Sequence, residues 1–333
     1  MKTELSLEDI YAPIQADLAR VEQQVVAILK AENPLSNEVI RHFLQARGKL
    51  LRPALCLLGA SFGPILSDTV LRTAAALEIF HSATLIHDDI IDSSYLRRNV
   101  PTVNAVWGPQ VAVLVGDYLH DKAIGAVFES KHDRAIAAFL ETAGVVCDGE
   151  ILELSHKNNF AMREEDYITV IERKTASLLA SCLEIGGLLA DLPEEQAAAL
   201  KRYGLNFGIA FQIVDDLLDF TGRENEFGKT LGADLAAGVL TLPLIHALST
   251  ADEKAKEKII AIVRSDKNVG TRHAVSLLSD LIQCLEEQDS LAYSYQRAKE
   301  YAASARAELD QFEEGDAKRS LDLLLSYVLE RHR

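Results

Sequence analysis

Three stretches of this chain, "AALEIFHSATLIHDDIID", "VAVLVGDYLHDKAIGAVF" and "TASLLASCLEIGGLLA", are apolar almost all the way round a 3.6-residue turn. A helix of that kind has no face to turn towards water, so other helices must surround it. Met three times in one chain, that requirement points to an all-α helical bundle. Strand signals are nearly absent, with no Val/Thr/Tyr alternation bounded by Asn-Gly turns. Breaks fall at Asn33-Pro34, Gly48, Gly63-Pro64, Pro101, Lys131–Asp133, Asn158–Phe160, Asp191–Pro193, Thr221–Gly238 and Thr250–Asp252. Most of the intervals run about 12–30 residues, a good length for bundle helices. Ser6-Leu7-Glu8-Asp9 reads as a helix start, with an amphipathic helix running on to about Lys30. No linker, low-complexity tract or internal repeat interrupts the pattern. The expectation is a single all-helical domain over residues 1–333.

Composition narrows the function. A chain of 333 residues with 48% hydrophobic and 25% charged side chains is that of a soluble globular protein with a sizeable core. The net charge of −16 argues against a nucleic-acid binder or a protein that coats anionic lipid. Cys56, Cys147, Cys182 and Cys284 lie far apart in apolar stretches with no Cys-x-x-Cys pair, as expected of reduced, mostly buried thiols in the cytoplasm. The start, "MKTELSLEDIYAP", has neither the basic nor the apolar region of a signal peptide, and no run of uncharged apolar residues is long enough for a membrane span.

Against that apolar background, "HDDIIDSSYLRR" at His87–Arg98 and "VDDLLDF" at Val214–Phe220 put three carboxylates each where the pattern says core. Residues four apart share a helix face, about 6 Å from one to the next. Asp88 and Asp92 therefore point the same way with Asp89 beside them, and Asp215, Asp216 and Asp219 repeat the arrangement. Carboxylates this close repel one another, and a cation relieves that. Hard oxygen ligands select Mg²⁺ or Ca²⁺, and Mg²⁺ takes one or two carboxylates plus phosphate oxygens and water. A single such cluster is as readily a solvated acidic face; its recurrence in apolar surroundings favours metal. Both clusters end apolar runs, where the helix dipole suits a cation, and two such ends facing each other would make one acidic mouth above an apolar shaft.

Basic residues recur nearby: Lys49 and Arg52 in "GKLLRP", Arg97 and Arg98 in "YLRR", Lys174 beside Thr175 in "ERKTASLL", and Lys229 in "FGKTLGAD". Arginine forks suit phosphate oxygens and lysine supplies a point charge. Neither Gly-Lys pair fits the phosphate-loop pattern. Each basic residue alone is more often plain surface, but beside two metal-type clusters the set reads as a site for a Mg²⁺-diphosphate with a long apolar remainder. His81 lies seven residues before Asp88, two turns below it on the same face, and is either a core histidine or a phosphate contact.

These residues bring a family into view. The chain resembles the trans-type polyprenyl diphosphate synthases, the head-to-tail isoprenyl chain elongases, over roughly residues 40–330, through "GKLLRP", "HSATLIHDDIID", "LRRNVPTVNAVWG", "VGDYL", "KTASLL", "FQIVDDLLDFTG" and "GKTLGADLAAGVLTLPL". The resemblance implies an all-α bundle (the isoprenoid synthase type) around a central cavity, three Mg²⁺ ions, isopentenyl and allylic diphosphate substrates and a homodimer. It implies that Lys49, Arg52, His81 and Arg98 hold isopentenyl diphosphate. Asp88, Asp92 and Asp215 would bind Mg²⁺, with Asp219 an open case and Asp89 and Asp216 as the remaining carboxylates of the set. Arg97, Lys174, Thr175, Gln212 and Lys229 would contact the allylic diphosphate. The glycine-rich segment Thr221–Gly238 would close as a lid that keeps water from the reaction. Two positions depart from the family: Asn99 stands where glycine is usual, and Glu153 where glutamine is common. Asparagine tolerates left-handed backbone, so the first departure is mild.

Product length, by the same resemblance, is set on the helix carrying Asp88. Ala83 and Thr84 are small, which lets a chain grow past them; Phe80, one turn deeper, is either a floor or ordinary core. The first motif lacks the two-residue insertion of bacterial short-chain farnesyl synthases. Together these favour a product of about C30–C45, with geranylgeranyl diphosphate as the competitor. Transient membrane contact for product release is compatible with this reading. A terpene cyclase would carry a different second motif and more aromatics, which are 6% here. An HD-type phosphohydrolase, suggested by His87-Asp88, lacks its second histidine cluster. A non-catalytic partner subunit usually loses an aspartate motif, and both are intact here.

Overall fold

The computed structural model describes residues 6–331 apart from 46–47, 65, 222–231 and 266–270, and leaves the side chains of 233, 265 and 271–276 undescribed. The described residues are overwhelmingly helical and group into two compact units. The first is made of 1–143, 178–204 and 308–324, the second of 144–177, 205–307 and 325–333.

The first unit is built on the helix Asp68–Ile91. Ser67 caps its start, the hydroxyl accepting from the Val70 N–H. Its buried residues include Val70, Leu71, Ala74, Ala75, Leu77, Ile79, Phe80, Ala83 and Ile86, which lie on every side of the helix, as an all-round apolar run requires. The helices Gln15–Ile28, Leu51–Ala60 and Pro109–Phe128 pack against it. Gln15–Ile28 is the outer, amphipathic kind and buries Leu18, Val21, Val25 and Ile28. The helix expected from Ser6 to Lys30 is in fact two pieces. Ser6 does cap it, but Pro13 has no N–H to donate, and the chain tightens into a short 3₁₀ turn, Ala12–Ile14, before continuing. The last segment of the unit is tied in by polar bonds: Ser320 donates to the Ile10 carbonyl at 2.7 Å and Tyr203 to that of Leu321 at 2.7 Å.

One short element stands apart from the helices. Leu96–Arg97 and Val100–Pro101 pair antiparallel as a two-residue-per-strand hairpin. Its turn residues, Arg98 and Asn99, have φ of 50° and 63°, the left-handed pair that a tight hairpin of this twist needs. Asn99 therefore meets the backbone demand that glycine would.

In the second unit, Leu242–Thr250 packs against Glu164–Ile171 and Thr271–Glu287. Glu164 pins this layer by accepting from Tyr293 at 2.6 Å and from Arg297 at 2.8 Å, and His246 stacks on the Tyr293 ring with centroids 4.0 Å apart. Between Glu164–Ile171 and Ser177–Leu189 the chain widens into one π-helical turn, Glu172–Ala176. Such turns shift side chains out of helical register and are frequent at functional sites; this one carries Lys174 and Thr175. Cys56, Cys182 and Cys284 are buried, Cys147 is exposed, and all four are free thiols. No helix among the described residues is long and apolar enough to cross a membrane.

Candidate active site

In the first unit the Asp68–Ile91 helix ends on the first motif. Asp92 is its C-cap residue, with its N–H on the Asp88 and Ile90 carbonyls, so the outer carboxylates stand at the negative end of the helix dipole, where a cation is favoured. Asp89 behaves differently. It is 3% exposed and sits in the fork of Arg97: Nε lies 3.0 and 3.1 Å from its two oxygens, and Nη2 lies 2.8 Å from Oδ1. Burial pushes the Asp89 carboxyl up and the Arg97 fork pulls it back. The hairpin places Arg97, and Asn104 ties the arrangement by donating to the Ser94 carbonyl at 3.0 Å and the Asp89 carbonyl at 3.3 Å. Arg97, expected on a diphosphate, is thus held by Asp89, and Asp89, expected on metal, is held by Arg97.

The same unit gathers the other basic residues. The guanidinium of Arg98 lies close over Gly48, where an added Cβ would meet Nη1 at 3.0 Å. Arg52 packs into the interior with its Nε buried and no hydrogen-bond partner for that atom among the described residues. Burial lowers the Arg52 pKa, and Glu78 works in the opposite direction. Burial, followed by Arg52, Arg97 and Arg98, holds His81 well below the ordinary histidine range, so it is a neutral imidazole. Glu78 itself is pushed up by burial and drawn down by Arg52 and Arg98. Arg52 and Arg98 therefore act on one acid, Glu78, and together with Arg97 on a neutral His81, with Lys49 exposed beside Gly48. Glu78 was missed in the sequence, although a charged residue inside "AALEIFHS" is a signal in itself. Of the chain-length candidates, Phe80 and Ala83 are buried, Phe80 edge-on to Phe139 at 5.3 Å and 5.5 Å from His120. Thr84 is half-buried, its hydroxyl donating back to the His81 carbonyl at 2.8 Å.

The second unit carries the second motif on the last turns of Glu194–Thr221. Asp216 is buried and both its oxygens are engaged: Tyr167 donates to Oδ2 at 2.7 Å and Gln212 to Oδ1 at 2.8 Å. Thr175 donates to the Gln212 carbonyl oxygen at 2.9 Å, which fixes the orientation of that amide. Burial, then Asp234, pushes Asp216 well up, and the bonds from Tyr167 and Gln212 oppose this. Asp215 is more open and pairs with Arg331 at 3.3 Å; Arg331 also lies over the Phe211 ring. Asp219 accepts from the Asp234 N–H at 3.2 Å. Lys174 lies 2.7 Å from Glu150 and 2.5 Å from Glu153. Burial opposes its charge, but Glu153 and Glu150 outweigh that and hold the ammonium above its ordinary range. Lys229, and most of the segment expected as a lid, lie outside the described residues.

No trio of His, Cys, Asp or Glu among the described residues forms a ready metal cage. Mg²⁺ needs none, since water and phosphate oxygens complete its shell around one or two carboxylates. Carboxylates of both motifs supply oxygens of the kind that pattern needs. Asp89 and Asp216 have both oxygens engaged by internal donors, and Asp215 is paired with Arg331.

A family model described as polyprenyl synthetase matches residues 33–279. The heptaprenyl diphosphate synthase component 2 of Geobacillus stearothermophilus is 36% identical over 327 residues, covering 98% of this chain and 99% of that protein. The geranylgeranyl diphosphate synthase of Saccharolobus solfataricus is 30% identical over 338 residues, 99% of this chain and all of that protein. Among solved structures, a polyprenyl synthase from Caulobacter crescentus, complexed with calcium and isoprenyl diphosphate, superposes with a TM-score of 0.92 at 28% identity and 100% coverage of both chains.

Proposed function

Because the chain belongs to the polyprenyl synthetase family, we propose that it condenses isopentenyl diphosphate head to tail onto an allylic diphosphate such as farnesyl diphosphate. The observation that carries this is the division of labour within the two motifs. In each, the middle carboxylate is locked internally, by Arg97 or by Tyr167 and Gln212, and Asp88, Asp92 and Asp215, the last paired with Arg331, stand near the ends of their helices. On this reading Lys49, Arg52, His81 and Arg98 hold isopentenyl diphosphate, and Lys174, Thr175 and Gln212 hold the allylic diphosphate. Asp88, Asp92 and Asp215 would hold Mg²⁺. Bound Mg²⁺ would draw off the negative charge of the departing diphosphate.

The rest follows from what the side chains are. The cluster offers no activated nucleophile, and ionisation needs none: the allylic C–O bond breaks, the terminal alkene of isopentenyl diphosphate attacks the cation, and the released pyrophosphate takes the proton. Neutral His81 donates a hydrogen bond without adding charge. Apolar walls keep the cation from being quenched by water.

The product is a medium or long all-trans chain of about C30–C45. Small Ala83 and Thr84 and the heptaprenyl relative support that length, whereas the geranylgeranyl relative favours a shorter one. Val113, Leu114, Phe128 and Leu140 leave apolar surface exposed on the first unit, which suits a second copy of the chain. The word "component" in the relative's name supports a second reading, in which a partner chain is needed. Incubating purified protein with isopentenyl diphosphate, farnesyl diphosphate and Mg²⁺, then sizing the products by mass spectrometry, tests all of this. Products six to nine isoprene units long, about C30–C45, and their loss in EDTA, are the expected result. Hydrolysis to isoprenoid alcohols alone, or no turnover with or without a partner chain, would overturn the proposal.

A further inference from the structure

Lys174 stands between two carboxylates of a single helix, Asp133–His156, at 2.7 Å from Glu150 Oε2 and 2.5 Å from Glu153 Oε1. Two backbone features bring them together. The π turn Glu172–Ala176 takes Lys174 out of ordinary helical register. Gly149 lets the helix come close, since a Cβ there would meet the Lys174 nitrogen of the backbone at 2.5 Å. All three side chains are largely buried, with exposures of 26%, 13% and 17% for Lys174, Glu150 and Glu153. The second oxygen of Glu150 is buried and has no hydrogen-bond partner among the described residues, so this carboxylate depends on Lys174.

One ammonium between two carboxylates leaves a net charge of −1. A diphosphate approaching Lys174 alone meets that charge in a partly buried setting, where it is poorly screened. Lys174 can serve an anion only by loosening one of its two ion pairs, or when a cation arrives with the anion and offsets the excess. We infer that Glu150 and Glu153 are positioning residues that restrain Lys174 and make its grip on a diphosphate depend on an accompanying divalent cation. The inference rests on the reading of Lys174 as a diphosphate ligand. It gives the site a way to reject bare pyrophosphate and uncomplexed substrate, which would otherwise occupy the lysine unproductively.

Glu153→Gln keeps the shape and a carbonyl oxygen for Lys174 while removing one negative charge. Isothermal titration with inorganic pyrophosphate in EDTA is the direct test. Glu153→Gln should bind about tenfold more tightly than wild type, equivalent to about 1.4 kcal/mol. With Mg²⁺ present the difference should shrink to within about twofold, because the metal now supplies the compensation. Glu150→Gln should behave alike and serves if Glu153→Gln does not fold by circular dichroism. Adding Lys174→Met should abolish the gain, as a coupled pair requires. Equal metal-free affinities in wild type and both variants, or a gain that survives loss of Lys174, would overturn the inference. A wild type that makes no prenyl product removes the functional reading instead, and equal titrations in an active enzyme remove only this restraint.

Discussion

The hydroxyl of Tyr167 donates to Asp216 Oδ2 at 2.7 Å, and both side chains are buried. Through Asp216 the bond reaches Gln212, and through Gln212 it reaches Thr175, at 2.8 and 2.9 Å. Removing the hydroxyl leaves a buried carboxylate one donor short, which costs about 1–3 kcal/mol. Tyr167→Phe should therefore lower the urea midpoint and, by loosening Asp216 and through it the Gln212 amide, raise KM for the allylic diphosphate roughly tenfold with a smaller change in kcat. A loss of stability with unchanged kinetics would reduce the network to scaffolding.

Neighbours in the first motif should fail in opposite ways. Asp88→Ala removes a proposed metal ligand, so turnover should drop at least about a thousandfold while the melting temperature moves by only a few degrees. Asp89→Ala leaves the partly buried Arg97 without its partner and should cost about 3 kcal/mol of stability. Steady-state kinetics paired with thermal melts separates the two. Wild-type turnover in Asp88→Ala would sink the metal role.

Why the sequence reveals the positions but not this division of labour is a matter of range. All-round apolar runs and two carboxylate motifs at their ends are local patterns, and Asn99 could be read because left-handed backbone is a local property. Which partner each carboxylate takes is set by distant residues: Tyr167 is 49 residues from Asp216, and Arg331 is 116 from Asp215. The hairpin that aims Arg97 has strands of two residues, too short to show alternation. The π turn that turns Lys174 towards Glu150 and Glu153 leaves no periodic trace. Glu78 was legible, as a lone acid in an apolar run three residues before His81, and points to the buried basic cluster it serves.

The neutral state of His81 has a consequence for stability. Burial first, then Arg52, Arg97 and Arg98, holds its pKa in the folded chain well below 6.5. Below about pH 6.5 the unfolded chain takes up a proton that the folded chain refuses, so stability falls as pH drops through that value, by up to about 1.4 kcal/mol per pH unit. His81→Gln removes this contribution. Urea midpoints at pH 8 and pH 5.5 should therefore differ less in His81→Gln than in wild type. An equal difference would mean that His81 titrates normally and is not enclosed by the arginines.

Three residues are proposed as the ruler for the product, and they differ in burial. Phe80 is 3% exposed and Ala83 1%, whereas Thr84 is half-buried and lies four residues before Asp88, one turn below it on the same face. Its hydroxyl is folded back on the helix, and its partial exposure makes it a milder place for a larger side chain than the fully buried Phe80 and Ala83. Thr84→Phe should shorten the product while leaving the melting temperature within a few degrees of wild type. Ala83→Tyr should also shorten it, but at a cost of about 1–3 kcal/mol from overpacking. Phe80→Ala, which removes a ring packed on Phe139 and His120, should lose about 3–5 kcal/mol and leave the length unchanged. Mass spectrometry of the dephosphorylated products, read beside the melts, distinguishes them. A longer product from Phe80→Ala would make that ring the floor, and an unchanged one from Thr84→Phe would mean that the growing chain does not pass along this face.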